Sequence, residues 1–115
     1  MGFLKDSLYA NYIKEREGAE IVECAEGFIT YKVVDKQCLL LDLFVKKESR
    51  KSGIFKLLFS KLEALAKKSL CEEIAARVFL VDPNHKTTIL AAFSVGAEIT
   101  DAHSGCIYLI KKLGV

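Results

Sequence analysis

The chain has 115 residues, 51% of them hydrophobic, and a formal net charge of +2. That length suits one domain, and the apolar content exceeds what a disordered chain carries, so a packed fold is expected across residues 1–115 without disulfides or metal. The small net charge excludes a strong whole-molecule field, so any preference for anions must come from local clustering. The cysteines, Cys24, Cys38, Cys71 and Cys106, are widely spaced with no C-x-x-C pair. They read as reduced thiols used as small hydrophobes, which points to the cytoplasm. No apolar run approaches the roughly 20 residues of a membrane span, and the N-terminus lacks the apolar core of a secretory signal.

In chain order, Phe3 to Glu17 has helical spacing, with Leu4, Leu8 and Tyr12 on one stripe, Ile13 beside them, and Gly18 as a stop. Three strands follow: Ala19 to Ala25, Phe28 to Val34 and Gln37 to Val45. The short turns Glu26-Gly27 and Asp35-Lys36 predict antiparallel hairpins. The third strand is apolar at nearly every position, as in a strand covered on both faces. Lys46 to Gly53 is a polar, basic loop, and Ile54 to Lys68 is an amphipathic helix with Ile54, Leu57, Leu58, Leu62 and Leu65 on one stripe. Ile74 to Val81 reads as a strand parallel to the third, because a helix connects them. Asp82-Pro83-Asn84 breaks the chain, and Asp82 or Asn84 is placed to cap a helix over Lys86 to Val95. Ala97 to Asp101 and Cys106 to Lys112 form a last strand pair. The summed pattern is α+β, an α/β sandwich with a mixed sheet of about six strands and helices on both faces.

The stretch Gln37 to Lys68 joins a buried strand, a basic loop carrying a glycine and a helix start. Free backbone N–H groups and the helix dipole make that junction a phosphate-binding device, with Arg50, Lys51 and Lys56 adding full charges. The segment LLDLFVKKESRKSGIFKLLFSKLEALAKK resembles the cofactor-binding core of the GNAT superfamily, the acetyl-CoA-dependent N-acetyltransferases. Leu41 to Val45 match its L-x-D-L-x-V strand, and Arg50 and Gly53 match the arginine and first glycine of its R-x-x-G-x-G/A loop. The segment looks like the diamine acetyltransferase type. The resemblance covers about Glu20 to Lys112 and implies a mostly antiparallel sheet, with no counterpart for the family's first strand and part of its N-terminal helices.

The resemblance implies that the backbone of Arg50, Lys51, Ser52, Gly53, Ile54 and Phe55 cradles the pyrophosphate of coenzyme A. It implies that Leu43, Phe44 and Val45 meet the acetyl and pantetheine amides where the strand splays near a bulge, and that Asn84 bonds the cofactor. Asp42, a carboxylate in an apolar run, is the candidate general base or ammonium binder, and burial would raise its pKa toward a useful range. Two positions depart from the family. Phe55 stands where Gly or Ala is usual. Ala92 takes the place of the tyrosine that protonates the leaving thiolate when Gly96 is set on the family glycine, and counting from Asn84 lands on Ala91. Ser94 and Tyr108 are the nearest hydroxyls by sequence. His85 and His103 are lone, so no metal site is expected.

The expected activity is acetyl transfer from acetyl-CoA to an amine of a small molecule or protein. The alternative is a catalytically silent module of the same fold that binds coenzyme A or a protein partner. The cationic loop lacks the length and aromatic platform of a nucleic-acid surface. A homodimer completed through the C-terminal strands is a further expectation from the resemblance.

Overall fold

The computed structural model describes residues 2–114. Its elements are β1 (Phe3–Leu4), α1 (Leu8–Glu17), β2 (Glu20–Cys24), β3 (Gly27–Val34), β4 (Gln37–Val45), a 3-10 turn (Lys47–Ser49), α2 (Ile54–Lys68), β5 (Glu73–Phe79), α3 (His85–Ser94), β6 (Glu98–His103) and β7 (Cys106–Lys112). The strands form one mixed sheet in the order β1-β2-β3-β4-β5-β7-β6. Every neighbouring pair is antiparallel except β4 and β5, which are parallel as the connecting helix requires. The α+β architecture is the expected one, with seven strands where about six were predicted. The extra one is β1, a two-residue edge strand on β2.

The start of the chain differs from its reading. Phe3 and Leu4 are extended, and α1 begins only after Ser7, whose hydroxyl accepts from the Ala10 amide at 3.0 Å. The predicted stripe of Leu4, Leu8 and Tyr12 is therefore largely exposed, and Ile13, read beside it, takes the core side. Leu8 is 87% exposed and Tyr12 53%, while Ile13 is the buried residue of α1. Gly18 does stop the helix, in the left-handed conformation.

The sheet has two unlike faces. Ile29 and Tyr31 of β3 point into a core with Cys38, Val45 and Ile74, and α2 closes it with Ile54, Leu58, Phe59, Leu62 and Ala66. Burying this apolar stripe supplies the main driving force for the fold. Val95, just after α3, packs on the same cluster. The alternate β3 residues face the other way: the Phe28 ring meets Tyr9 of α1 at 5.1 Å. That second face has α1 alone as cover. Hence β4 is not buried on both sides: Leu41, Asp42 and Phe44 are exposed.

Candidate functional site

The β4–β5 ladder runs from Gln37↔Glu73 to Leu40↔Ala76 and stops there. Beyond it the strands part. A bulge in β4 begins the separation: Thr30 pairs with Asp42 and Tyr31 with Leu40, so Leu41 is the extra residue. A bulge bends its strand and re-aims side chains. The result is a slot between β4 and β5, with a cavity on each face of the sheet beside it.

On the α2 side lies a cavity of about 260 Å³, walled by Leu40 to Leu43, by Phe55 and Phe59 of α2, by Ala76 to Phe79 of β5, by Thr88 and Ala92 of α3, and by Val95, Leu109 and Lys111. On the α1 side lies a second of about 570 Å³, walled by Tyr9, Tyr12, Ile13 and Glu17, by Thr30 and Lys32 of β3, and by Leu41 and Asp42. Leu41 and Asp42 line both. The two spaces thus lie on either side of the bulged segment.

The junction read as a phosphate-binding device keeps the geometry of a loop running into a helix start. Gly53 precedes α2 at φ +86°, and no side chain caps the helix. The first-turn N–H groups of Ile54, Phe55 and Lys56 therefore have no helical partner and carry the positive end of the dipole. A Cβ at Gly53 would meet nothing within 4 Å, so the glycine is needed for its backbone conformation there. Lys51 is also left-handed, at φ +63°. Arg50 is less free than expected: its Nε donates to the Val45 carbonyl at 2.9 Å, and its guanidinium lies 5.9 Å from the Phe44 ring. It pins the loop to the end of β4. The Ser52 hydroxyl donates to the Ser49 carbonyl, closing the turn. The Phe55 ring packs on Phe59 at 5.7 Å against the core, so the side chain leaves the loop clear while its amide remains at the helix start.

Asp42 reaches the cavity mouths exposed, with its Oδ1 accepting from the Leu43 amide at 2.9 Å. The burial expected for it is absent because the α1 face of β4 opens onto a cavity at this point rather than onto packed side chains. Leu43 lines the slot from the α2 side, whereas Phe44 turns to the α1 side, paired across the sheet with Phe28. Asn84 stands at the start of α3, but its side chain caps nothing. Its amide donates to Asp82 Oδ1 at 2.8 Å, and Asp82 and Thr88 are the residues there that line the cavity. Ala92 lines the cavity without a hydroxyl, and Ser94 donates to the Ala91 carbonyl at 2.6 Å.

Several site residues escaped the sequence reading. Tyr9, Tyr12 and Glu17 form one wall of the larger cavity; an aromatic pair exposed on a short helix was their only signal. Partial burial, followed by the charges of Asp42, Glu17 and Glu23, pushes the Tyr9 hydroxyl above its ordinary range. Thr30, only 2% exposed, forms the floor. Asp101, His103 and Ser104 also meet at the β6–β7 turn, at 3.4 and 3.2 Å from the ring nitrogens. They are exposed on the surface and line neither cavity. Among the described residues no cluster of His, Cys, Asp and Glu is placed to hold a metal, and no helix is long and apolar enough to cross a membrane.

The profile of the Acetyltransferase (GNAT) family matches residues 3–92. The chain belongs to that family. Solved structures share the fold of this GNAT chain. A PaiA N-acetyltransferase from Thermoplasma acidophilum, solved with coenzyme A, superposes with a TM-score of 0.74 at 20% identity, over 91% of this chain and 68% of that one. The ribosomal-protein-S18-alanine N-acetyltransferase of Escherichia coli gives 0.70 at 13% identity, over 97% and 80%. The yncA protein of Salmonella typhimurium, solved with its cofactor acetyl-CoA, gives 0.66 at 14% identity, over 90% and 70%. These GNAT likenesses establish the fold. No curated protein matches the sequence.

Proposed function

We propose that residues 1–115 form one acetyltransferase unit that moves an acetyl group from acetyl-CoA to the amine of a small molecule or protein. The observation that carries this is the pair of cavities that share Leu41 and Asp42 as wall, with an uncapped helix start beside the parted strands. Family membership and neighbours solved with coenzyme A and acetyl-CoA support it.

In this reading the backbone from Arg50 to Phe55 holds the pyrophosphate. The Ile54 and Phe55 amides at the helix start have no helical partner, Gly53 lets the loop converge on them, and Lys51 adds charge. Arg50 sets the loop on β4. The unpaired edge of β4 from Leu43 to Val45 takes the pantetheine and acetyl amides, and an N–H near Phe44 or Val45 polarises the carbonyl. The acceptor enters on the α1 side. Asp42 orients its ammonium and takes a proton, directly or through water, and the neutral amine attacks the carbonyl. Asn84, outside the cavity wall, serves the cofactor only at its outer end. The diamine type of acceptor rests on the strand motif and on the carboxylates Asp42 and Glu17 in one cavity. Free, buried cysteines suit a cytoplasmic setting. A dimer through the C-terminal strands finds support in β6, an edge strand exposed along its length.

Calorimetric titration with acetyl-CoA tests the cradle. Binding that needs the pyrophosphate, and that weakens roughly tenfold or more in Arg50→Ala as the loop loses its tie, is the expected result. An acetyl-transfer assay then tests Asp42→Asn, for which a loss of about 10²-fold in kcat is expected. Unchanged transfer removes Asp42 as the base. One observation favours the alternative, a silent coenzyme A-binding module: Ala92 brings no hydroxyl to the cavity. Tight binding with no transfer to any amine in a broad panel would establish that reading.

A further inference from the structure

We infer that Lys111 is the acid that protonates the departing thiolate, a task for which α3 has Ala92 at the family's tyrosine position and a Thr88 hydroxyl already bonded to the Asn84 carbonyl. The inference rests on the acetyl-transfer reading above.

Lys111 lies on β7 opposite Ile74, one alternate residue from Leu109, which is opposite Ala76. Ala76 is also where the β4–β5 ladder ends. The lysine thus belongs to the sheet face that α2 covers, near the closed end of the slot. Its Nζ is 3.3 Å from Glu63 Oε1 of α2 and 5.9 Å from the centre of the Phe59 ring, and the side chain runs past Gly96. Both charged side chains are about three-quarters buried, at 24% and 23% exposure. Lys111 lines the same cavity as Leu40, Ala76 and Ala92.

Elimination singles it out. The other lining side chains with polar hydrogens or charge are Asp42, Arg77, Asp82 and Thr88. The two carboxylates are acceptors at neutral pH. The Thr88 hydroxyl donates to the Asn84 carbonyl at 3.1 Å. Arg77 stacks over the Phe79 ring at 4.9 Å, and a guanidinium does not give up its proton. A lysine ammonium carries three donors, and one bond to Glu63 leaves two for another partner. The pairing also has a protective sense. A neutral lysine beside a thioester would itself be a nucleophile, and the 3.3 Å contact with Glu63 engages the nitrogen as a hydrogen-bond donor instead.

The step balances. The acceptor ammonium loses one proton to Asp42 and solvent before attack. Its nitrogen then bonds to the carbonyl carbon and sheds a second proton the same way. The carbon–sulfur bond breaks with its electron pair on sulfur, and Lys111 gives that sulfur a proton. Solvent restores the lysine, so one proton is released per turnover.

The test needs a readout other than turnover. Coenzyme A bound to saturating protein is titrated by its ultraviolet thiolate absorbance. An ammonium beside the sulfur lowers the pH at which the bound thiol ionises, and Lys111→Met is expected to move that titration up by about one unit. Lys111→Arg keeps the charge and the contact with Glu63 but cannot pass a proton, so it should retain the thiol shift. In turnover both variants should lose roughly 10²-fold in kcat with little change in KM for acetyl-CoA. An unchanged thiol titration in Lys111→Met, or a kcat within about threefold of wild type, overturns the inference. Loss of thermal stability alone makes the Lys111–Glu63 pair a brace between β7 and α2 and overturns it equally. Wild-type protein that binds no coenzyme A defeats the acetyl-transfer reading itself, and is recognised by the absence of any bound thiol to titrate.

Discussion

The slot has two helical walls built on different terms. α2 follows β4 and buries Ile54, Leu58, Phe59, Leu62 and Ala66; α3 follows β5 and buries no residue at all. One wall is part of the core. The other touches the sheet through a few side chains at the cavity edge, and its large apolar residues Leu90 and Phe93 remain 66% and 45% exposed. The difference teaches which wall the fold places by itself and which gains from a bound molecule. The uncapped helix start proposed to hold phosphate sits on the rigid wall, where it must be held still to be useful. Contacts to the body of a ligand fall to the weakly packed wall, where ligand and helix can pack on each other.

The largest expected effect separates the walls directly. Leu58 is fully buried, and Leu58→Ala leaves a cavity in the α2 cluster, so unfolding free energy should fall by about 2–5 kcal/mol. The same truncation on the other wall, Leu90→Ala, should stay within about 0.5 kcal/mol of wild type. Denaturant titration of both variants measures the contrast. Similar losses in the two would mean that α3 is as much a part of the core as α2.

The two walls were also unequally legible. The α2 stripe is readable because a long helix with one apolar face has a single way to dock, and the parallel β4–β5 pair follows from the helix between them. The family resemblance implied a bulge in this strand, but its place at Leu41 is not readable, since nothing in LLLDLFV distinguishes an inserted residue from a regular one until β3 is laid beside it. That one residue decides where Asp42 points. The α1 stripe was misread because Leu4, Leu8 and Tyr12 have helical spacing, yet Ser7 caps the helix after Leu4 and leaves Ile13, read beside that stripe, as the buried residue. The partners of the slot from β5 and β7, Ala76 to Phe79 and Lys111, come from distant segments with no motif of their own. Only the sheet order, with β7 inserted between β5 and β6, brings them to the site.

A middle-sized effect tests whether α3 serves as a ligand wall. In the free protein, α3 amides should exchange with solvent through a local opening that costs less than global unfolding, whereas α2 core amides wait for global unfolding. Coenzyme A at about 100 times its Kd adds about 2.7 kcal/mol to every opening that expels it. If α3 touches the ligand, its amides should slow by the same factor of about 100 as those of α2. If α2 amides slow while α3 amides do not, α3 opens without disturbing the ligand, and the cavity it lines is not the binding slot.

The smallest effect probes how dry the α2 side is. Cys38 lies in the cluster that α2 covers, and burial, with a further contribution from Cys71, pushes its thiol from the usual 9.0 up to about 12. In the unfolded chain the thiol ionises near its ordinary value, so between pH 9 and 12 the folded state holds a proton that the unfolded state has lost. Stability from this group is fully present below pH 9 and declines as pH rises through that window. Cys38→Ala removes the titration along with some packing, about 1–2 kcal/mol at neutral pH. The stability gap between wild type and Cys38→Ala should therefore narrow from pH 9 toward pH 12, as followed by denaturant midpoints at fixed ionic strength. A gap that stays constant across the window would mean that water reaches the thiol, and that the wall read here as rigid opens as readily as the one across the slot.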